Sequence, residues 1–178
     1  VVFGDNKTSK LANKATNDGG AIYNAGRVNI TNSVLSRNSA GRNGGLIFAS
    51  ATSETVFNGS QTISYNTATN GFGGAIYTAG VLQMTSVANR SIMSYNSSTY
   101  GGALYVVNNS NISSRYDRQI DINQVDFLYN SATDGNGGAI ALRNNGTVLN
   151  SSSADDANVI KNSKFENNTA KRGSAYIN

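Results

Sequence analysis

One short pattern recurs six times along this chain, and that recurrence limits the possible folds more than any other feature. Asn13-Lys-Ala-Thr-Asn-Asp-Gly-Gly-Ala-Ile22 returns as Asn38-Ser-Ala-Gly-Arg-Asn-Gly-Gly-Leu-Ile47 and as Asn66-Thr-Ala-Thr-Asn-Gly-Phe-Gly-Gly-Ala-Ile76. It continues with Asn96-Ser-Ser-Thr-Tyr-Gly-Gly-Ala-Leu104, Asn130-Ser-Ala-Thr-Asp-Gly-Asn-Gly-Gly-Ala-Ile140 and a degenerate Asn168-Thr-Ala-Lys-Arg-Gly-Ser-Ala-Tyr176. Repeats of this length cannot bury an apolar face alone, so they stack on one another and share a core.

The residues between copies decide what stacks. Val28/Ile30 and Ile120/Ile122 alternate apolar with polar, the period of a strand and not of a helical repeat. Only 13% of residues are charged, 19 are Gly and none is Pro, which suits short strands joined by tight turns. The expectation is one all-β domain over residues 1–178: a right-handed parallel β-helix of about six rungs with three short strands each. One strand carries the alternating apolar pair. The second holds Leu35, Ile63, Met93, Phe127 and Phe165, each three residues before the motif Asn, with Lys10 breaking the pattern in the first copy. The third follows the Gly pair.

Stacking assigns each motif residue a task. Gly19/Gly20, Gly44/Gly45, Gly73/Gly74, Gly101/Gly102 and Gly137/Gly138 sit at sharp bends, and both members of each pair are expected where φ is positive, which suits Gly. Ile22, Ile47, Ile76, Leu104 and Ile140 point inward as an aliphatic ladder, with Ala15, Ala40, Ala68, Ala132 and Ala170 small because neighbouring backbone crowds them. Asn13, Asn38, Asn66, Asn96, Asn130 and Asn168 are expected to bond amide to amide at an internal bend. Tyr23, Phe48, Tyr77 and Tyr105 follow the aliphatic ladder and should form an outer aromatic stripe, a candidate binding platform.

The Gly-Gly-Ala-Ile/Leu element together with Phe127-Leu-Tyr-Asn130 and Phe165-Glu-Asn-Asn168 resembles the repeat of chlamydial polymorphic membrane proteins. The resemblance spans nearly the whole chain. It implies a passenger domain like those of autotransporters, displayed outside the cell, associated with the outer membrane in a bacterium, and adhesive towards a host receptor or glycan. Relatives of that type carry several cysteines and this chain has none.

Composition removes other chemistry. Without Cys or His there is no thiolate or imidazole ligand, cysteine nucleophile or histidine base, and neither a catalytic centre, a cofactor nor a metal is expected. Spacings of four and five residues do not put Asp117, Asp121 and Asp126 together on one strand face, where every offset must be even, and the pair Asp155-Asp156 lies in a Ser-rich insertion that reads as a solvated loop. Asp18 and Asp134 precede glycine turns and read as turn formers rather than calcium ligands. The net charge of +4 comes with no basic cluster beyond Lys7, Lys10 and Lys14 at one end and Lys161, Lys164, Lys171 and Arg172 at the other, so no nucleic-acid partner is expected. No apolar run reaches the roughly 18 residues of a membrane span.

Ten Asn-x-Ser/Thr triplets, at Asn6, Asn29, Asn58, Asn89, Asn96, Asn108, Asn111, Asn145, Asn150 and Asn167, exceed what composition would give by chance and mark candidate N-glycosylation sites. Two polar insertions, Val107 to Arg118 and Leu149 to Asn158, are candidate interaction loops. These readings point to a non-catalytic surface or extracellular module, part of a longer chain or able to stack end to end into a filament. The alternatives are an adhesin that binds glycan or receptor, and a polysaccharide lyase or hydrolase built on the same fold.

Overall fold

Four columns of strands, each built from the same segment of successive repeats, make up the protein. The computed structural model describes residues 2–3, 12–86, 89–107, 119–143 and 159–177. Sheet I runs from Val2–Phe3 through Val34–Ser36, Thr62–Ser64, Ser91–Ser94 and Val125–Leu128 to Lys164–Glu166. Sheet II starts at Lys14–Ala15 and passes through Ser39–Ala40, Thr67–Phe72 and Ser97–Tyr100 to Ser131–Ala132. Sheet III, from Ile22–Asn24 to Tyr176–Ile177, follows the Gly pairs, and sheet IV, from Arg27–Thr31 to Val159–Lys161, carries the alternating apolar residues. Every pairing is parallel and joins one repeat to the next, as in Leu35↔Ile63, Ile47↔Ile76 and Met84↔Ile122.

The parallel β-helix expected from the repeat is therefore the fold, with three corrections. The first is that five complete rungs carry four strands each, not three. The additional strand is sheet II, often a two-residue Ser-Ala step, too short to show a period. Its inward residue is the motif Ala, with Ala40 and Ala68 both buried. Ser98 takes that place in one rung, and its hydroxyl donates to the carbonyls of Tyr100 and Gly101 at 2.8 and 3.0 Å. The second correction concerns the first copy, where the register places Phe3, not Lys10, beside Leu35.

The third correction concerns the Gly pairs, whose two members are Gly for different reasons. The first Gly turns the chain from sheet II to sheet III in the left-handed region, as at Gly44 with φ 63°. The second, at Gly20, Gly45, Gly74, Gly102 and Gly138, does not adopt positive φ, contrary to expectation. Contact with the adjacent rung decides there instead. A Cβ on Gly20 would sit 2.0 Å from the Gly45 carbonyl oxygen, one on Gly45 2.1 Å from that of Gly74, and one on Gly74 2.0 Å from that of Gly102. The series continues with Gly102 at 2.1 Å from the Gly138 oxygen and Gly138 at 2.2 Å from the Ser174 oxygen. Any side chain in this column would force the backbones of successive rungs apart.

The core is the set of inward columns predicted from the motif. Leu35, Ile63, Met93 and Phe127 line sheet I, Ile47, Ile76, Leu104 and Ile140 line sheet III, and Phe57, Leu82, Met84, Ile120 and Ile122 line sheet IV, all buried. Removing such a side chain from a packed interior costs about 2–5 kcal/mol.

Asn amides at the bend between sheets I and II tie the rungs together. Asn38 Nδ2 donates to Asn66 Oδ1 at 2.9 Å, Asn66 to Asn96 at 3.0 Å, Asn96 to Asn130 at 3.0 Å and Asn130 to Asn168 at 3.0 Å. Asn13 donates to Asn38 at 2.8 Å. The same Oδ1 of Asn66 accepts the Asn38 backbone N–H at 3.0 Å, and the second Nδ2 hydrogen of Asn66 goes to the Leu35 carbonyl at 3.0 Å. Asn66→Ala would strand the Asn38 N–H, the Asn38 amide hydrogen and the Leu35 carbonyl inside the protein. Each unsatisfied group costs about 1–3 kcal/mol, so urea unfolding should register a loss of about 4 kcal/mol, against at most about 0.5 kcal/mol for exposed Thr62→Ala. Equal losses would contradict the ladder's role.

Candidate functional site

In-register stacking also orders the outward columns, because a side chain repeated at one rung position meets its own copy about 4.8 Å away. Two such columns are aromatic. The first is the predicted stripe on the outside of sheet III. Tyr23 and Phe48 stack at 5.0 Å between ring centroids, Phe48 and Tyr77 at 4.9 Å, and Tyr77 and Tyr105 at 5.8 Å.

The stripe is not uniformly open. Tyr23 is 63% exposed and Tyr105 only 7%. Phe72 crosses from sheet II to lie 4.6 Å from Tyr105, and the next residue in register, Ala141, ends the column. The inner rings face one another, so they offer edges to solvent rather than the faces on which a sugar would stack. Burial pushes the phenols of Tyr77 and Tyr105 above the ordinary 10.0, with the neighbouring phenol adding to the rise at Tyr77 and Arg143 opposing it at both.

The second column is not evident from hydrophobic patterning. Tyr65, Tyr95 and Tyr129 each precede a ladder Asn and stack at 4.9 and 5.0 Å with planes 3° apart. All three are 45% exposed. Their φ values of 58°, 55° and 57° place them in the left-handed region, as do Arg37 and Asn167 at the same position of the flanking rungs. Left-handed geometry costs a residue with a Cβ roughly 1–2 kcal/mol, and stacked rings return about 0.5–1.5 kcal/mol per pair. The Arg37 guanidinium lies 4.7 Å from the Tyr65 ring centre and covers its other face. The available signal was the Tyr-Asn step recurring in three consecutive repeats.

Among the described residues the acids do not converge. Asp121 lies in sheet IV and Asp126 in sheet I, and Asp126 accepts a bond from Arg90 Nε at 2.8 Å. Asp18 does not simply close its own turn: its Oδ1 accepts the backbone and side-chain N–H of Asn43 in the next rung at 3.0 and 2.9 Å. Asp134 pairs with Lys171, and Lys164 with Glu166. Among the described residues no three acids gather where they could hold a metal, and no helix is long and apolar enough to cross a membrane. Asp117, Asp155, Asp156, Lys7 and Lys10 lie outside the described residues, as does nearly all of both insertions. A cavity of about 290 Å³ opens among Leu104, Val106, Ile120, Ile140, Leu142, Ile160 and Phe165. Among the described residues its lining side chains are all apolar.

The Asn-x-Ser/Thr sites divide by exposure. Asn29, Asn58, Asn89 and Asn167 are exposed. Asn96 is fully buried and gives both Nδ2 hydrogens away, to the Ile63 carbonyl and Asn130 Oδ1, so the folded chain has no room for a glycan there and that candidate falls. Asn6, Asn108, Asn111, Asn145 and Asn150 lie outside the described residues.

Against known proteins, residues 1–25 match the Chlamydia polymorphic membrane protein repeat, which bears out the resemblance read from the motifs. No curated protein and no solved structure matches the chain.

Because Tyr77 and Tyr105 hold their protons in the fold after the unfolded chain has begun to lose its own, stability is full below the ordinary phenol value. It falls as pH rises through 10.0 towards the raised values. Unfolding midpoints measured across that range should drop less steeply in the Tyr77→Phe, Tyr105→Phe double variant; an unchanged slope would show that these phenols are not the source.

Proposed function

We propose that the chain is a non-catalytic structural module of an extracellular or cell-surface protein, a stiff spacer that displays its outward columns away from the cell. The observation that carries this reading is the continuity of inter-rung bonding at the bend between sheets I and II, from Asn13 to Asn168. With about 4.8 Å per rung, the five complete rungs give a rod about 24 Å long. The match of residues 1–25 to a membrane-protein repeat and the excess of Asn-x-Ser/Thr triplets support the location. The pairing or dispersal of the described carboxylates supports display over hydrolysis.

Adhesion is the second reading, favoured by the exposed column Tyr65, Tyr95 and Tyr129. Three parallel ring edges with their hydroxyls in a row suit an extended polar partner that runs along the rod. Tyr65→Ala with Tyr95→Ala should reduce binding to cells or immobilised glycans at least tenfold while the fold persists, whereas the equivalent pair Tyr77→Ala and Tyr105→Ala should act mainly on stability. Unchanged binding in the first pair would remove the adhesive reading and leave the spacer.

Self-association end to end is the third element of the proposal. Val159–Lys161 and Lys164–Glu166 end their sheets with one edge paired among the described residues, the geometry onto which a further rung or a second copy adds. Sedimentation velocity should reveal concentration-dependent growth of the isolated chain; a stable monomer at all concentrations would rule it out.

A further inference from the structure

A chain without Cys cannot brace its rungs with disulfides. The tyrosine column at the bend between sheets I and II offers another covalent route. Tyr65, Tyr95 and Tyr129 stand in consecutive rungs with ring centroids 4.9 and 5.0 Å apart and planes 3° from parallel, and each is 45% exposed. The parallel register keeps them in step, because the residues just before them pair as Ser64↔Ser94 and Ser94↔Leu128. All three share the left-handed conformation, so their side chains leave the backbone in the same direction. The stripe outside sheet III is built differently. Phe48, which has no hydroxyl, separates Tyr23 from Tyr77, while Tyr77 and Tyr105 stand 5.8 Å apart with Tyr105 only 7% exposed.

We propose that this column is a site of oxidative cross-linking, at which Tyr95 couples to Tyr65 or Tyr129 as dityrosine when a haem peroxidase and hydrogen peroxide act on it. Each phenol gives up one electron and its hydroxyl proton, and the peroxide takes both electrons and both protons and becomes two waters. The two phenoxyl radicals then form one bond between carbons ortho to oxygen. The hydrogens on those carbons move to the oxygens, which restores both phenols. A lone tyrosyl radical has to meet a second by diffusion, whereas here the partner is held one rung away, so the encounter is intramolecular. Coupling uses ring edges and not faces, so both rings must turn about χ2. That torsion is broad for Tyr, and exposed side chains turn within picoseconds to nanoseconds. Arg37 and Asn167 hold the column's position in the flanking rungs, which leaves Tyr65 and Tyr129 one phenol neighbour each and makes Tyr95 common to both links. The inference rests on the reading of the chain as an extracellular or cell-surface protein, open to an oxidant of this class.

The test treats the full 178-residue chain, in dilute solution, with a haem peroxidase and hydrogen peroxide, and reads dityrosine by its fluorescence and by mass. The product should migrate as a monomer and be lighter by two hydrogens for each link. Trypsin separates the three tyrosines, because cleavage after Arg42, Arg90, Arg115, Arg118 and Arg143 gives peptides 43–90, 91–115 and 119–143. Fragment spectra of the joined peptides should place the bond at Tyr65–Tyr95 or Tyr95–Tyr129. Tyr95→Phe keeps the ring stack but removes the shared phenol, and it should lower dityrosine in the monomer at least tenfold, while Tyr77→Phe should leave it unchanged. Links that form only between molecules overturn the proposal, as do a yield unaffected by Tyr95→Phe or the absence of dityrosine. Because the oxidant is supplied, these outcomes are independent of where the native protein resides; dityrosine in acid hydrolysates of native material tests that separately.

Discussion

A buried amide that must find partners above and below itself is the interaction on which the rest of this structure depends. Asn supplies two donors and a two-lone-pair acceptor on a short side chain. At the bend between sheets I and II that set is used completely: one hydrogen goes to the next rung's Oδ1, the other to a main-chain carbonyl, and the oxygen accepts both a side-chain and a main-chain hydrogen. A slip of one residue would leave these groups unpaired in an apolar interior and turn inward side chains outward. The separation between bonded asparagines grows from 25 to 38 residues along the chain, yet the bond geometry hardly changes, so variation in rung length is absorbed elsewhere.

Once that register is set, every other column follows. Aliphatic side chains meet their own kind inside, the second Gly of each pair allows main chains of adjacent rungs to approach, and aromatic rings stack outside. The aromatic columns are in part a consequence of stacking, which is why ring contact alone argues little for a ligand. Tyr65, Tyr95 and Tyr129 differ because they occupy a left-handed bend where Gly or Asn would fit without strain. There the side chain contributes something the backbone does not require. Their ring faces are already occupied by one another, so recognition along this column runs through edges and hydroxyls.

Much of this was legible from the residues because β-helix columns are written at fixed offsets from a motif. The inward Ile and Leu column that follows the Gly pair and the stripe from Tyr23 to Tyr105 sit three and four residues after its first Gly, and the ladder Asn lies five to seven residues before it. What was not legible failed for identifiable reasons. Ser39–Ala40 is too short for a period-two signal, so a fourth sheet was missed. Phe3 lies outside the offset that holds in later copies, so Lys10 stood in its place. Gly20, Gly45 and Gly138 look in sequence like their turn-forming neighbours, because a demand for close approach between rungs and a demand for positive φ select the same residue. The tyrosine column runs against the conformational preference of its residue type, and Asn96 reads as a glycan acceptor only until its amide is seen to be fully used inside. The stripe's exposed and buried ends, Tyr23 and Tyr105, differ through Phe72, a contact from another sheet that no local pattern encodes.

Register in this protein depends first on the asparagine amides being bonded from rung to rung in solution. Hydrogen exchange of the side-chain amides, followed by NMR, reads this without a substitution. Asn38, Asn66, Asn96 and Asn130 should exchange only through global unfolding, many orders of magnitude more slowly than exposed Asn29 or Asn58. Ladder amides that exchange as fast as those exposed ones would contradict it.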